Sequence, residues 1–375
     1  MSSSPQEPTY WPALDGVRGV AVILVVMQHW EVGESFPVDR GLLGVRLFFV
    51  LSGFLITGIL LSGRGDLARG DPPHVPALSD KLRFAKAFVW RRLLRIAPIY
   101  YLTLAVLWVW DAPGFRAEAH WHAAYLTNFL VAGNNGWVGL PSHFWSLAVE
   151  EQFYLLWPWV MLWVPRRALP GVLWTTLLVG ALWRSVGVHF GLGKFALLYL
   201  LPGCLDSLGV GALYALVHRE YSGRLRLLRG LSLVLGGLIL AIASWVTAGH
   251  EATALSHTVA GFKGTGYALV LGALVSVCAA PGGRWVTAFS WGPLPSLGRI
   301  SYAVYLVHPL IWIALLHGWP TLSSRPAQWA VASVLTLGIA ELSRRYIENP
   351  INAQKKRYPY PTRRTECALP GTSCS

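Results

Sequence analysis

Ten apolar runs, each about as long as a bilayer is thick in helical form, dominate this chain. They lie at roughly 14–31, 43–62, 89–110, 144–164, 171–190, 195–217, 229–248, 262–279, 299–317 and 327–346. A hydrocarbon core takes about 20 apolar residues as a helix. Lipid offers backbone groups no water, so a segment in it must satisfy its own hydrogen bonds. The runs are continuous rather than alternating, which selects helices over barrel strands. Only 13% of the 375 residues are charged, against roughly 25% in soluble domains. The expected fold is all-α: a polytopic integral membrane protein of about ten transmembrane helices.

The net charge of +13 first raises nucleic acid as a partner, but the placement of the charge excludes it. With ten spans both termini share one side, and the segments on that side hold 23 of the 31 Lys and Arg residues. Arg40, Arg46, Arg116, Arg184, Lys194, Lys263 and Arg325 are assigned to the opposite side. Positive residues stay cytoplasmic, so both termini are expected inside. The basic charge then reports topology, with the lipid bilayer and its anionic head groups as partners. The opening "MSSSPQEPTYWPAL" lacks a basic leader region, and no cleaved signal peptide is expected. Cys204, Cys278, Cys367 and Cys374 form no disulfide framework. Residues 1–350 read as one integral domain and 351–375 as a basic cytoplasmic tail.

Ionisable residues within spans cost about 2.5–3.5 kcal/mol each on insertion scales, so each needs a reason. In "LDGVRGVAVILVVMQHW", Arg18 and His29 are about three helical turns apart on one face, separated by ~16.5 Å along the axis. Asp15 is placed to pair with Arg18. The bland alternatives are that Arg18 reaches back to the cytosol and His29 serves a helix contact. In "WRRLLRIAPIYY", Arg92 and Arg95 share a face and suit a polyphosphate arriving from the cytosol, although the positive-inside rule alone also places arginines there. In "HFWSLAVEEQFYLLWP", Ser146, Glu150, Tyr154 and Pro158 form one stripe. Glu150 and Glu151 are hard to explain as packing, and a cation from another span (Arg18, Arg92 or His29) is the expected partner. Tyr302, Tyr305 and His308 lie in "LGRISYAVYLVHPL". His308 precedes Pro309 and alternatively serves only a carbonyl that the proline frees. His120, His122 and His143 lack the carboxylate and cysteine company of a metal site, and no metal is expected.

Six stretches, "LDGVRGVAVILVVMQHW", "GVRLFFVLSGFLIT", "WRRLLRIAPIYYLTL", "HFWSLAVEEQFYLLWP", "LGRISYAVYLVHPL" and "YIENP", occur in this order over 14–350. Together they resemble membrane acyltransferase family 3, which includes O-antigen, peptidoglycan and Nod-factor acetyltransferases and macrolide O-acyltransferases. The resemblance implies an enzyme of the bacterial plasma membrane. It would move an acyl group from acyl-CoA, most simply acetyl-CoA, to a hydroxyl of a glycan or glycoside, with no permanently bound cofactor. Arg18 and His29 match the family's Arg/Lys-x10-His motif, whose histidine is the catalytic base. Arg92 and Arg95 match the pair that engages the donor, and Glu150 matches the acid of "SLxxEExFY". Family members often carry an arginine two residues before the aspartate matching Asp206; here that position is Cys204, which weakens any role for Asp206. Members acting on peptidoglycan or O-antigen often carry an added extracytoplasmic esterase-like domain, which a chain of this length is not expected to hold.

The expected site therefore comprises His29 and Glu150 as catalytic residues, with Arg18, Arg92, Arg95, Ser146, Glu151, Tyr302 and His308 binding substrate. Ser146 and Tyr302 are the candidate oxyanion donors, and Glu150 the group that orients His29. A multi-span transporter with a polar substrate path is the main rival of another class. A non-catalytic membrane partner is a third reading, disfavoured by the intact Arg18–His29 spacing.

Overall fold

The structure, a computed structural model, describes residues 11–33, 38–64, 77–248, 253–319 and 324–360. Fifteen α-helices run in chain order through these segments. They are α1 (Pro12–His29), α2 (Arg40–Ser62), α3 (Leu78–Val109), α4 (Phe115–Ala123), α5 (Thr127–Gly133), α6 (Trp145–Trp163), α7 (Leu169–Gly187), α8 (Lys194–Tyr199), α9 (Leu201–Glu220), α10 (Leu225–Thr247), α11 (Ala254–Cys278), α12 (Arg284–Phe289), α13 (Pro293–Gly318), α14 (Arg325–Ser343) and α15 (Asn349–Ala353). Among the described residues there is no strand, so the all-α expectation holds. Seven stretches are long and apolar enough to cross a membrane: Arg40–Ser62, Leu78–Val109, Arg166–Phe190, Lys194–Glu220, Ser222–Thr247, Ala254–Cys278 and Pro293–Gly318. The runs expected at 14–31, 144–164 and 327–346 are also helical, as α1, α6 and α14. Those three carry the polar residues that set them apart, including Asp15 and Arg18 in α1 and Glu150 and Glu151 in α6.

Small residues set the helix contacts, as expected where lipid is as apolar as any side chain and packing must drive association. A Cβ on Gly53 of α2 would meet the Leu208 carbonyl at 2.0 Å, and one on Gly211 of α9 would meet the Val50 carbonyl at 2.0 Å. These reciprocal gaps let α2 and α9 lie backbone to backbone. On α13, a Cβ at Gly298 would meet the Asp15 carbonyl at 1.8 Å, so α1 and α13 approach as closely. This second contact brings His29 and His308 together.

Asp206 is fully buried on α9 and receives two guanidinium groups. Arg184 of α7 donates to Oδ2 at 2.6 Å, and Arg46 of α2 lies 3.5 Å from Oδ1. Thr265 of α11 also donates to Oδ2, at 2.8 Å. Arg46 and Arg184, which lie within the expected runs 43–62 and 171–190, are thus paired inside the helix bundle with an acid of a third helix. The cation missing at Cys204 is supplied from two other helices, so the carboxylate ties four helices together. A charge this deep persists only when paired.

The gaps between the expected runs hold structure of their own. α3 begins at Leu78, well before the run expected at 89, and the gap at 111–143 between two runs contains α4 and α5. Within that stretch His122 is buried, stacked on Phe115 with ring centroids 5.5 Å apart, and its Nδ1 lies 2.8 Å from Thr127 Oγ1. The first part of the expected tail also has a defined place. Arg91 of α3 donates to the carbonyls of Lys355 and Tyr358 at 2.9 and 3.2 Å.

Candidate active site

Seven of the nine expected site residues line one chamber. Arg18, Arg92, Arg95, Ser146, Glu150, Glu151 and Tyr302 surround a cavity of about 90 Å³, together with Ser52, Tyr154 and Tyr305. They come from α1, α2, α3, α6 and α13, so the chamber exists only once five helices have packed. Two larger cavities flank it. A basic vestibule of about 650 Å³ shares Arg18, Arg92 and Arg95 with the chamber and adds Trp11, His218 and Arg219. On the other flank, a cavity of about 650 Å³ shares Val45 and Tyr305 with the chamber and is lined by His29, His143, Asp39, Trp137, Trp145 and Tyr199. The three follow one another along the axis of α1, with Arg18 at one junction and His29 beyond the other.

His29 and His308 form a pair whose proton positions follow from their neighbours. Pro309 has no N–H, so it frees the Tyr305 carbonyl four residues earlier. His308 Nδ1 lies 2.9 Å from that carbonyl and 3.0 Å from the Val304 carbonyl. A carbonyl only accepts, so Nδ1 of His308 carries the proton and its Nε2 is a lone-pair nitrogen. That Nε2 lies 3.2 Å from His29 Nδ1, which is also 2.9 Å from the Val25 carbonyl. Two acceptors face His29 Nδ1, so it too carries the proton. In the neutral ring, Nε2 of His29 is left as the basic nitrogen, on a side chain exposed to the aromatic cavity. His308 itself is fully buried and stands behind His29 rather than in a cavity wall. It serves the freed carbonyl, as one sequence alternative held, and it orients His29 as well.

The carboxylates take other partners than expected. Ser52 Oγ donates to Glu150 Oε1 at 2.6 Å and lies 3.0 Å from Tyr154 Oη. Arg18 pairs instead with Asp15, at 3.1 Å. Among the described residues neither glutamate forms an ion pair, and Glu151 Oε1 is buried without a hydrogen-bond partner. The group bonded to His29 is His308, not Glu150. The expected oxyanion donors are also committed elsewhere. Tyr302 Oη donates to the Ile96 carbonyl at 3.0 Å. Ser146 Oγ sits 2.6 Å from Tyr305 Oη, which donates to the His143 carbonyl at 2.9 Å.

Two arginines of the vestibule are in the opposite situation, donors without acceptors. Arg92 packs over the Phe88 ring at 5.7 Å, and its Nε is buried with no partner. Among the described residues Arg95 likewise has no hydrogen-bond or ion-pair partner. An unpaired guanidinium costs free energy that a multivalent anion would recover through bidentate contacts. No group of three or more His, Cys, Asp or Glu residues that could hold a metal occurs among the described residues.

A family model described as an acyltransferase domain (acyltransferase family 3) matches residues 11–343. The chain belongs to this acyltransferase family. It is 30% identical over 378 residues to the peptidoglycan O-acetyltransferase OatA of Listeria monocytogenes, covering 91% of this chain and 56% of that protein. It is 26% identical over 371 residues to the O-acetyltransferase OatA of Staphylococcus aureus, covering 92% of this chain and 57% of that protein. The chain thus spans a little over half the length of these curated relatives.

For an acyltransferase, the residues that the expected site left out are Ser52, His143 and Tyr305, of which Tyr305 was named as a polar residue of its span and His143 only as a rejected metal ligand. Ser52 had a visible signal, a hydroxyl in the middle of the apolar run "FFVLSGFLI". His143 had one as well, a place just above the Ser146–Glu150–Tyr154 stripe of its own segment. Its Nε2 lies 3.3 Å from the Leu306 carbonyl, and its ring centroid is 6.1 Å from that of His29. Tyr305 forms the wall between chamber and aromatic cavity, which only the packing of α6 on α13 creates.

Proposed function

We propose that this acyltransferase moves an acetyl group from cytoplasmic acyl-CoA to a hydroxyl of a cell-envelope glycan, across the plasma membrane of a bacterium. The observation that carries the reading is the row of three cavities, basic at one end and holding a basic imidazole nitrogen at the other. Coenzyme A has a phosphate-bearing head and a long pantetheine arm. Arg92 and Arg95, with Arg18 beside them, would hold the phosphates in the vestibule, and the arm would run through the middle chamber. The rise of about 16.5 Å between Arg18 and His29 suits such an arm.

The acceptor would enter the aromatic cavity. Trp137 and Tyr199 give it apolar faces of the kind that sugar rings stack on, and Asp39 and Ser142 give it polar edges. The names of the relatives support peptidoglycan among such glycans. The acceptor oxygen attacks the thioester carbonyl while His29 Nε2 takes its proton. The carbon–sulfur bond then breaks, the sulfur leaves with its electron pair, and the imidazolium returns the proton to the thiolate. His308 Nε2 accepts from His29 Nδ1 throughout, and that bond strengthens as the ring gains charge. Glu150, held by Ser52, lines the chamber with Arg18 and Arg95.

The test is transfer from radiolabelled acetyl-CoA in membranes carrying the wild type or His29→Ala, with products separated into lipid, polysaccharide and small-molecule fractions. Label in the polysaccharide fraction with the wild type alone is the expected result. Label in the small-molecule fraction would replace the glycan with a small glycoside such as a macrolide. Equal label from both proteins would remove His29 from the mechanism.

A further inference from the structure

Beyond α14 the chain turns back along the N-terminal half of α3. Residues 349–360 form a strap there, held by three kinds of contact. Arg91 donates to the Lys355 and Tyr358 carbonyls at 2.9 and 3.2 Å. Tyr358 stacks on Trp90, with centroids 5.6 Å apart and planes 15° apart, and Tyr360 stacks on Phe84 at 4.7 Å and 21°. The Arg91 guanidinium also lies 4.8 Å from the Tyr360 ring centroid. None of these contacts uses the Lys355 side chain.

That side chain is nevertheless drawn in. Lys355 is half-buried, whereas Lys356 and Arg357 beside it are exposed. Its charged neighbours are Arg95, Arg92 and Arg91 on α3, with Glu348 the one acid among them. Burial, followed by the three guanidinium groups, pushes the Lys355 ammonium down to about 7. A lysine kept only for docking or solubility would turn outward, as its neighbours do. Gathering four cations around one acid opposes folding unless an anion comes to the same place.

We propose that the strap delivers Lys355 as a further cation of the anion-binding mouth, acting with Arg92 and Arg95 on the phosphate groups of the donor. The inference rests on the acyl-CoA reading above. It also extends the donor site past residue 343, where the family match ends, and gives the docked strap a purpose that packing alone does not.

The experiment uses the purified full chain with coenzyme A as the binding probe and acetyl-CoA in turnover. Lys355→Gln removes the charge but leaves the carbonyl that Arg91 holds, so the strap stays docked. Lys356→Gln makes the same change at an exposed, screened position. Lys355→Gln is expected to weaken coenzyme A binding and raise the acetyl-CoA KM about tenfold, with kcat within twofold of wild type. Lys356→Gln is expected to change neither, and Lys355→Arg to restore both. If wild type binds coenzyme A and Lys355→Gln matches Lys356→Gln, Lys355 has no part in the donor site and only this inference fails. If wild type does not bind coenzyme A, the donor reading fails and this inference with it.

Discussion

Replacing His308 by asparagine separates its two roles. The asparagine amide reaches the position of Nδ1 and can still donate to the Tyr305 carbonyl, 2.9 Å from that nitrogen. It does not reach His29, so the 3.2 Å contact from Nε2 is lost. Hydrogen bonds to charged groups are worth about 1.5–3 kcal/mol, against about 1 kcal/mol for neutral ones. The difference, about 0.5–2 kcal/mol, is what His308 adds as His29 becomes charged, and it corresponds to a fall in kcat of about 2- to 30-fold. The loss is expected to stay far below the ~10⁴-fold that follows a wrong tautomer, because the Val25 carbonyl still holds His29 Nδ1 at 2.9 Å. KM for acetyl-CoA is expected to be unchanged, since His308 lines none of the three cavities. The assay is steady-state acetyl transfer by protein whose thermal stability matches wild type. An unchanged kcat would reduce His308 to a partner for the proline-freed carbonyl. A rise in KM at constant kcat would return it to the substrate-binding role that the sequence suggested.

Four further outcomes follow from the same geometry. Arg92→Ala and Arg95→Ala should each raise the acetyl-CoA KM about 10- to 100-fold, the worth of a charge-assisted contact at about 1.5–3 kcal/mol, and unchanged donor kinetics in both would contradict the vestibule assignment. Asp206→Leu should destabilise the fold by about 3–5 kcal/mol, read as lost folded protein in detergent, because Arg46 and Arg184 would be buried with no carboxylate. Lys355 is neutral above about 7 and binds anions only when protonated, so donor KM should climb as pH rises from about 6 to 8.5; in Lys355→Gln that slope should flatten, because Arg91, Arg92 and Arg95 stay charged and Glu348 carries the wrong sign. His122 is held neutral, its imidazole lowered to about 4 by burial and then by His120. Its contribution is therefore complete above its ordinary 6.5 and is lost as pH falls toward 4, so hydrogen-exchange protection of α4 and α5 should decline over that range in wild type but not in His122→Gln.

What was legible in the sequence was whatever a single helix determines. Arg18 and His29 share α1, so their spacing could be read from the helical repeat, and the structure keeps them at opposite ends of one path. Arg92 with Arg95, and Ser146 with Glu150, were legible for the same reason, and all four line the middle chamber. Pairings across helices were not legible. The partner of His29 is 279 positions away on α13, and nothing local distinguishes His308 from a histidine that serves its own backbone. Glu150 was expected to find an arginine because charge seeks charge, yet the neighbouring face of α2 offers Ser52. Arg46 and Arg184 were read only for their side of the membrane, because each stands near the end of an apolar run; the acid that draws them inward lies on α9. The strap looked like a solvated tail because its composition is basic. Its docking depends on Tyr358 and Tyr360 meeting Trp90 and Phe84, a match of positions that composition does not encode.

The central claim is that one path joins a cytoplasmic donor to an external acceptor through His29. Sealed, inside-out vesicles test it most directly. Radiolabelled acetyl-CoA is added outside, where the cytoplasmic face is exposed, and the glycan acceptor is enclosed within. Labelled acetyl ester on the enclosed glycan with wild type, and none with His29→Ala, is the expected result. Label carried equally by the His29→Ala vesicles, or found only on glycan added to the donor side, would contradict it.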